Sequence, residues 1–353
     1  GISIAMLTGQ NGILNRAGEA KNANGVAQGE ELLKVSVMDA LTRGTGELTD
    51  ENLRKALSSN LGTEGKDYEI VGSKECGWTV TIKENEKDYK ISSTGKIGEI
   101  EKIEASSSEW RVEGNAVVEY LGSSNDIVVP NYVDDVKITE IGSYIFQSSK
   151  KNGTLTISEG IRMIKANAFT GCNFTGSLIL PNTLVEIEDY AFGYCKGFTG
   201  DLIIPETVEK IGFAAFAGSS GFNGNLIVND NVSIKDINCF FDTQFEGMVY
   251  VGNNVEGMGI GKLNVKRVAM KSMLNNFSIM QVLPNIKSMW ISSNIIKDVN
   301  KFEMFRSENC ENSDIIIYTD SDENDSNWPE NYNPYGLTFK YRVSFDEYRK
   351  LTD

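Results

Sequence analysis

The chain has 353 residues, of which 34 are basic and 49 acidic, so its formal net charge is −15. This charge repels phosphate backbones and anionic lipid surfaces, and nucleic acid is therefore not expected as a partner. Because the chain has 0 histidines, Ser-His-Asp and Cys-His catalysis and histidine-bound zinc are excluded. The sequence predicts no enzyme, no catalytic residues, no cofactor and no metal. The cysteines lack a Cys-x-x-Cys pair and are predicted to be buried thiols: Cys76, Cys172, Cys195, Cys239 and Cys310.

The first part of the chain predicts an α+β domain over residues 1–104. Helix is favoured from Ile13 to Leu41 by apolar spacing, and a second helix from Asp50 to Asn60 by Thr49 as N-cap. Leu48 and Leu53 are placed as a hydrophobic staple for this second helix. Alternating apolar residues then predict an antiparallel meander, over residues 68–71, 78–83 and 89–92. The polar run Glu104 to Ser108 predicts a linker, which we place at residues 105–114.

From residue 115 onward the chain repeats. The motif of two aliphatic residues three apart, followed five residues later by Phe, recurs at offsets of 23, 23 and 24. Its copies are Ile138-x-x-Ile141-x4-Phe146, Ile161-x-x-Ile164-x4-Phe169, Leu184-x-x-Ile187-x4-Phe192 and Val208-x-x-Ile211-x4-Phe216, with a fifth at Ile234-x-x-Ile237. A unit this short cannot bury its own apolar side chains, so the copies must stack into a β-solenoid with parallel strands ~4.8 Å apart. The solenoid is predicted to run through divergent repeats to a cap at residue 353.

A glycine precedes a short strand-like segment in each copy. Period two turns the central residue of each segment away from the core, and these residues are Thr156, Ile179, Ile203, Ile227 and Val249. They predict an outward apolar ladder that binds a partner. The alternative is that a β-branched stripe reflects strand propensity alone, or is covered by another part of the chain.

The repeats resemble a known family. The blocks Leu180 to Phe192 and Ile204 to Phe216 look like the leucine-rich repeats of BspA-type bacterial surface proteins. This resemblance implies a secreted or surface-attached protein, and several members of the family are adhesins. It implies a non-catalytic binding function, with a protein or glycan of another cell or matrix as the partner.

A second resemblance concerns the N-terminus. Residues Gly1 to Leu14 resemble the segment that follows the membrane-spanning half of the first helix in type IV pilin-like proteins of Gram-positive bacteria. This implies a pilin-like first domain and an extracellular protein, anchored by an N-terminal transmembrane segment that this chain lacks. A minor pilin or pseudopilin, with pilus or secretion-system subunits as partners, is therefore an alternative function. A carbohydrate-active module is a further one.

Three other features have weaker chemical interpretations. The run Asp320 to Asp325 begins like a calcium loop but has Asp325 where glycine is expected and Asn331 where the bidentate Glu is expected, so a solvated acidic turn is predicted. The glycine-dense run Gly257 to Gly261 predicts an ordinary loop. A set of aromatic side chains could stack on sugars but is predicted to fill the C-terminal cap: Trp290, Trp328, Tyr332 and Tyr335.

Overall fold

The computed structural model divides the chain into two units, residues 1–101 and 102–353. Its described residues are 29–43, 48–73, 77–84, 87–92, 94–230, 232–234, 238–253, 255, 265–271, 286–293, 315–321 and 338–351. Predictions for residues 1–28, 257–261 and 322–335, and for Cys76 and Cys310, lie outside this set.

Within its described residues, the first unit contains two helices and one antiparallel sheet. The helix from Asp50 to Asn60 is confirmed, whereas the part of the predicted Ile13 to Leu41 helix that precedes Gly29 lies outside the described residues. Its elements are α1 (Gly29–Arg43), α2 (Asp50–Asn60), β1 (Tyr68–Ser73), β2 (Gly77–Ile82), β3 (Lys87–Ile91) and β4 (Ile97–Glu99). The strands pair in the order β1-β2-β3-β4. The hydroxyl of Thr49 accepts a hydrogen bond from the Asn52 amide at 3.2 Å, which confirms the predicted N-cap. Trp78 lies in the core and its indole N–H donates to Asp50 at 2.6 Å, so the start of α2 is tied to the sheet.

The second unit begins earlier than predicted. Strand β5 (Glu104–Ala105) overlaps the first residue of the predicted linker, and β6 (Trp110–Glu113) falls inside it. Trp110 is buried and its ring centroid lies 4.8 Å from that of Tyr120 and 6.1 Å from that of Phe146. Residues 105–114 are therefore the start of the solenoid, because the first rung needs an apolar cover over its exposed end. Because the residues around Ser106 are polar, the sequence did not indicate that this segment covers the first rung.

Two sets of parallel strands run along the solenoid. The first set lies in one sheet: β7 (Ala116–Tyr120), β11 (Glu140–Ile141), β13 (Met163–Ile164), β14 (Glu186–Ile187) and β16 (Lys210–Ile211). The second set, which we call the long strands, consists of a pair, β8 (Ile127–Val129) and β12 (Leu155–Ile157), and a seven-stranded sheet: β15 (Leu202–Ile204), β17 (Leu226–Val228), β18 (Met248–Val251), β19 (Arg267–Met270), β20 (Ser288–Ile291), β21 (Ile316–Thr319) and β22 (Thr338–Lys340). Two further short strands, β9 (Tyr132–Val133) and β10 (Val136–Lys137), pair with each other near the start, and β9 also pairs with β5.

A column of phenylalanine rings runs through the core, as the repeat predicted. Centroids of successive rings are 5.4, 5.0, 5.3 and 5.5 Å apart, with planes within 11° of parallel, in the order Phe146, Phe169, Phe192, Phe216 and Phe240. A second column of buried rings was not predicted, although its spacing of 24, 24 and 23 residues is present in the sequence: Phe174, Phe198, Phe222 and Phe245. These two columns bury each repeat against its neighbours, and neither can form in a single copy.

The fifth copy differs from its predicted register. Lys210 pairs with Ser233, so the next residue, Ile234, occupies the column position of Ile211 rather than that of Val208. The intervening segment is shorter than in the preceding repeats, and the strand bridge determines which side chain faces inward. Ile237 lies outside the described residues.

Three of the glycines that precede the long strands, Gly153, Gly224 and Gly247, make room for a side chain of the preceding rung. A Cβ at Gly224 would clash with the Asp201 carboxylate, which accepts a hydrogen bond from the Asn225 amide at 2.7 Å. The Asp126 carboxylate makes the equivalent contact with the Thr154 amide at 2.8 Å. These contacts connect successive rungs at the edge of the long strands.

Candidate binding surface

The long strands present one side chain per rung away from the core, and we call this series the outer column. Its members follow from the strand register and the repeat offsets: Val128, Thr156, Ile179, Ile203, Ile227, Tyr250, Ala269, Trp290, Tyr318 and Lys340. The residues that flank each member on its strand are buried where the pattern is regular, as at Leu202 and Ile204. The outer column is thus a continuous stripe whose chemistry changes along the solenoid.

The first four members form the open half of the outer column. Val128 is 50 % exposed, Ile179 is 74 % exposed and Ile203 is 52 % exposed, and Thr156 is also exposed. Isolated surface apolar residues are ordinary, whereas a run of them on successive rungs is typical of an interaction surface. The open half carries no charge, and its side chains are aliphatic except for Thr156.

The remaining members form the covered half, on which the C-terminal segment packs. Helix α3 (Phe345–Tyr348) lies over the column and makes a separate apolar cluster with Tyr250, Ala269 and Trp290. The Phe345 ring stacks on Tyr250 with centroids 4.4 Å apart. Tyr348 is fully buried. The outer column here is a second core rather than a surface.

Polar contacts hold α3 in place. The Arg267 guanidinium donates to the carbonyl oxygens of Tyr348 at 2.8 Å and Leu351 at 2.6 Å, and lies 5.0 Å from the Tyr348 ring centroid. The Trp290 indole N–H donates to the Val343 carbonyl at 2.8 Å. Ser344 caps α3 through a capping box with Glu347. These bonds satisfy the backbone groups at both ends of a short helix that would not form alone in water.

A partly buried polar cluster lies beside the covered half. The Tyr250 hydroxyl donates to the Asp230 carboxylate at 2.8 Å, and Lys271 forms an ion pair with the same carboxylate at 2.6 Å. Burial, and then the hydrogen bond to Asp230, raise the pKa of Tyr250 far above its ordinary value. Tyr250 therefore stays a neutral donor, and the cluster has a structural role in orienting the ring on which Phe345 stacks.

The structure places the five predicted site residues in three environments. Thr156, Ile179 and Ile203 are on the open half, as predicted. Ile227 is partly buried and packs against the cluster that α3 forms. The prediction for Val249 is wrong: its side chain is 0 % exposed and lies in the solenoid core.

The error at Val249 is one of register. Leu226 pairs with Val249 and Ile227 pairs with Tyr250, so Tyr250 is the outward residue of this rung. The first core residue follows each glycine by two positions, as Val249 follows Gly247, and not by one. This constant offset in the sequence would have identified Tyr250.

The structure also describes two other residues that the sequence analysis singled out, Trp290 and Asp320. Trp290 is buried beneath Phe345 with centroids 5.5 Å apart, so it fills a cap, as predicted, and its ring faces are not available to a sugar. Asp320 accepts a hydrogen bond from the Ser293 amide at 2.6 Å.

Across the described parts of the chain, clusters of three or more His, Cys, Asp or Glu side chains suited to a metal ion do not occur. None of the described helices combines the length and apolar character that a bilayer crossing requires.

The repeats match a known family. Residues 139–260 and 199–312 match the profile of the BspA type leucine rich repeat region, with six copies. A leucine rich repeat protein of T. pallidum is similar in structure, with 19% identity and a TM-score of 0.38 over 47% of this chain and 85% of that chain. A leucine-rich repeat protein from Bacteroides ovatus ATCC 8483 is 13% identical, with a TM-score of 0.33 over 70% of this chain and 68% of that chain. A comparison with curated proteins gives no match.

Proposed function

We propose that this protein is a non-catalytic cell-surface binding protein, an adhesin that captures a partner protein on the open half of the outer column. The observation that carries the proposal is the contrast between exposed Ile179 and Ile203 and the covered residues of the same column. The match of the repeats to the BspA type region supports a binding function at the cell surface.

The chemistry of the open half favours a protein over a glycan as the partner. Three of its four exposed side chains are aliphatic and none carries a charge, so the Thr156 hydroxyl is the one polar side-chain group that the open half offers to orient a sugar. The chain itself covers the neighbouring rungs with the aromatic side chains of a short helix, Phe345 and Tyr348, which indicates the kind of ligand that this stripe accepts. Binding to a preformed sheet also costs little conformational entropy on the side of the solenoid.

The test is a binding array of purified extracellular-matrix and serum proteins, probed with the wild-type chain and two variants. Ile179→Asp/Ile203→Asp places charge on the open half, whereas Tyr144→Asp places one charge at an exposed side chain in a turn segment, away from the outer column. We expect both variants to fold, and only the double variant to lose binding. A folded double variant that binds as the wild type does would refute the site, and a wild-type chain that binds no protein on the array would refute the adhesin function.

A second candidate function is that of a minor pilin or pseudopilin that carries a repeat domain. It is supported by the order of elements in the first unit, where helices precede a four-stranded antiparallel sheet, and by the resemblance of residues 1–14. This function requires a prepilin cleavage motif and an apolar helix encoded directly upstream of Gly1. Sequencing the complete gene tests it, and a gene without these features would remove it.

A further inference from the structure

Two cysteine side chains of successive rungs are in contact inside the solenoid. The Sγ atoms of Cys172 and Cys195 are 3.3 Å apart and both side chains are buried. The residues occupy equivalent positions, each three residues after a phenylalanine of the first core column. Neighbouring parallel rungs are separated by about 4.8 Å, which lies inside the Cα–Cα range of about 4.4–6.8 Å that disulfides require.

We propose that Cys172 and Cys195 form a disulfide that cross-links these two rungs. In the reaction both S–H bonds break and one S–S bond forms. The two electrons and two protons pass to a disulfide oxidant such as oxidised glutathione, which becomes two thiols. The cell-surface location proposed above would expose the protein to such oxidants, but the contact itself does not depend on that location.

The position of the cross-link supports a stabilising role. The 23-residue separation between the cysteines encloses Leu178–Leu180, the segment that carries Ile179. Unlike β12 before it and β15 after it, this segment is not part of a described strand ladder. The proposed bond thus restrains a rung whose outer-column segment is not held by a described strand pairing.

The repeat position that Cys172 and Cys195 occupy accommodates a free thiol and also a serine. In the next repeat this position is Ser219, whose hydroxyl donates to the Phe192 carbonyl at 2.6 Å. The Cys195 thiol donates in the same way to the Phe169 carbonyl at 3.0 Å. Oxidation removes this hydrogen bond, which reduces the gain in stability. Replacing either cysteine by serine should leave a folded protein.

Burial determines when the bond can form. Both side chains are buried, so an oxidant in solution does not reach either sulfur atom once the rungs have packed. The disulfide therefore forms while the repeats assemble, and oxidation of the folded protein is slow.

The experiment uses the full chain with Cys76, Cys239 and Cys310 replaced by serine, so that only the pair remains. The chain is refolded with a mixture of reduced and oxidised glutathione, then denatured and alkylated. We expect a monomer that has lost the mass of two hydrogen atoms, a linked peptide that joins Cys172 to Cys195, and a Tm higher than that of the reduced form by on the order of 5 °C.

Two comparisons complete the test. Adding Cys195→Ser should abolish the linked peptide, whereas Cys239→Ser alone in the wild-type chain should retain it. Two alkylatable thiols after oxidative refolding, or cross-linked dimers in place of the monomer, would overturn the proposal. Since the assay needs no partner protein, its failure is distinct from failure of the proposed binding function.

Discussion

The two halves of the outer column have the same backbone and opposite environments. At Ile203 the outward side chain faces solvent, whereas two rungs later Tyr250 lies beneath Phe345. From Ile203 onward the strands pair in parallel with continuous register across the boundary between the two halves. The position of a side chain in a repeat therefore determines which way it points, while the segment that packs over it determines whether it is surface or core.

The largest expected effect comes from removing the residue that anchors the cover. Tyr348→Ala deletes a fully buried ring and its hydroxyl contact with Ser288 at 3.0 Å. We expect a loss of about 3–5 kcal/mol in the free energy of unfolding, measured by denaturant titration. Tyr144→Ala, which truncates an exposed tyrosine, is the control and should change it by about 0.5 kcal/mol or less. Equal effects of the two variants would mean that α3 does not stabilise the covered half.

A smaller effect is expected from weakening the polar anchor. Arg267→Lys keeps the charge but loses the planar pair of donors that bonds the Tyr348 and Leu351 carbonyls, which costs about 1–3 kcal/mol. Amide hydrogen exchange in α3 should accelerate accordingly. Arg349→Lys is a matched control, because the Arg349 side chain is exposed and forms an ion pair with exposed Asp346 at 3.8 Å. Unchanged exchange in Arg267→Lys would contradict the anchoring role.

Two adjacent isoleucines sharpen the distinction between inward and outward positions. Ile203→Thr on the open half should change the free energy of unfolding by about 0.5 kcal/mol or less. Ile204→Thr, one residue later and buried, should cost about 2–3 kcal/mol, since it loses apolar contacts and buries a hydroxyl. Chemical denaturation of both variants checks the register, and a reversed order would invalidate it.

The smallest effect concerns the edge of the open half. Hydrogen bonds from the amide and hydroxyl of Thr154 lower the pKa of the Asp126 carboxyl. Since this pKa is depressed in the folded state, the stabilisation is present above the ordinary aspartate pKa and is lost as pH falls through the folded value. Asp126→Ala should therefore have a lower Tm than the wild type at neutral pH, and the difference should shrink in acid. A difference that is independent of pH would show that ionisation of Asp126 does not contribute.

The repeat pattern made much of the fold predictable. Phe169, Phe192 and Phe216 stack because their offset equals one rung, and such a period has few structural solutions. The Thr49 cap was likewise a local signal. The second unit's early start at Trp110 was missed, since its strands pair with residues that come later in the chain.

The binding surface was predictable only in part. Ile179 and Ile203 were identified from period two alone, since each lies between two core residues of its own segment. A cover by another part of the chain was an open alternative for the ladder, but its position over Tyr250 was not predicted. Phe345 contacts a rung almost one hundred residues earlier in the chain, and no short-range pattern reports that contact. The contact between Cys172 and Cys195 was predictable in part. The repeat places the two cysteines at equivalent positions of successive rungs, but it does not give the distance between their sulfur atoms.

The amino-acid sequence by itself determined that the chain is a stack of repeats with aromatic columns inside, because a short unit that cannot bury its own side chains must share them with its neighbours. Tertiary structure alone decided that the outer column is half surface and half core. That outcome depends on where the C-terminal segment finds enough apolar area and hydrogen-bond partners to order a four-residue helix, and this balance is a property of the folded chain as a whole.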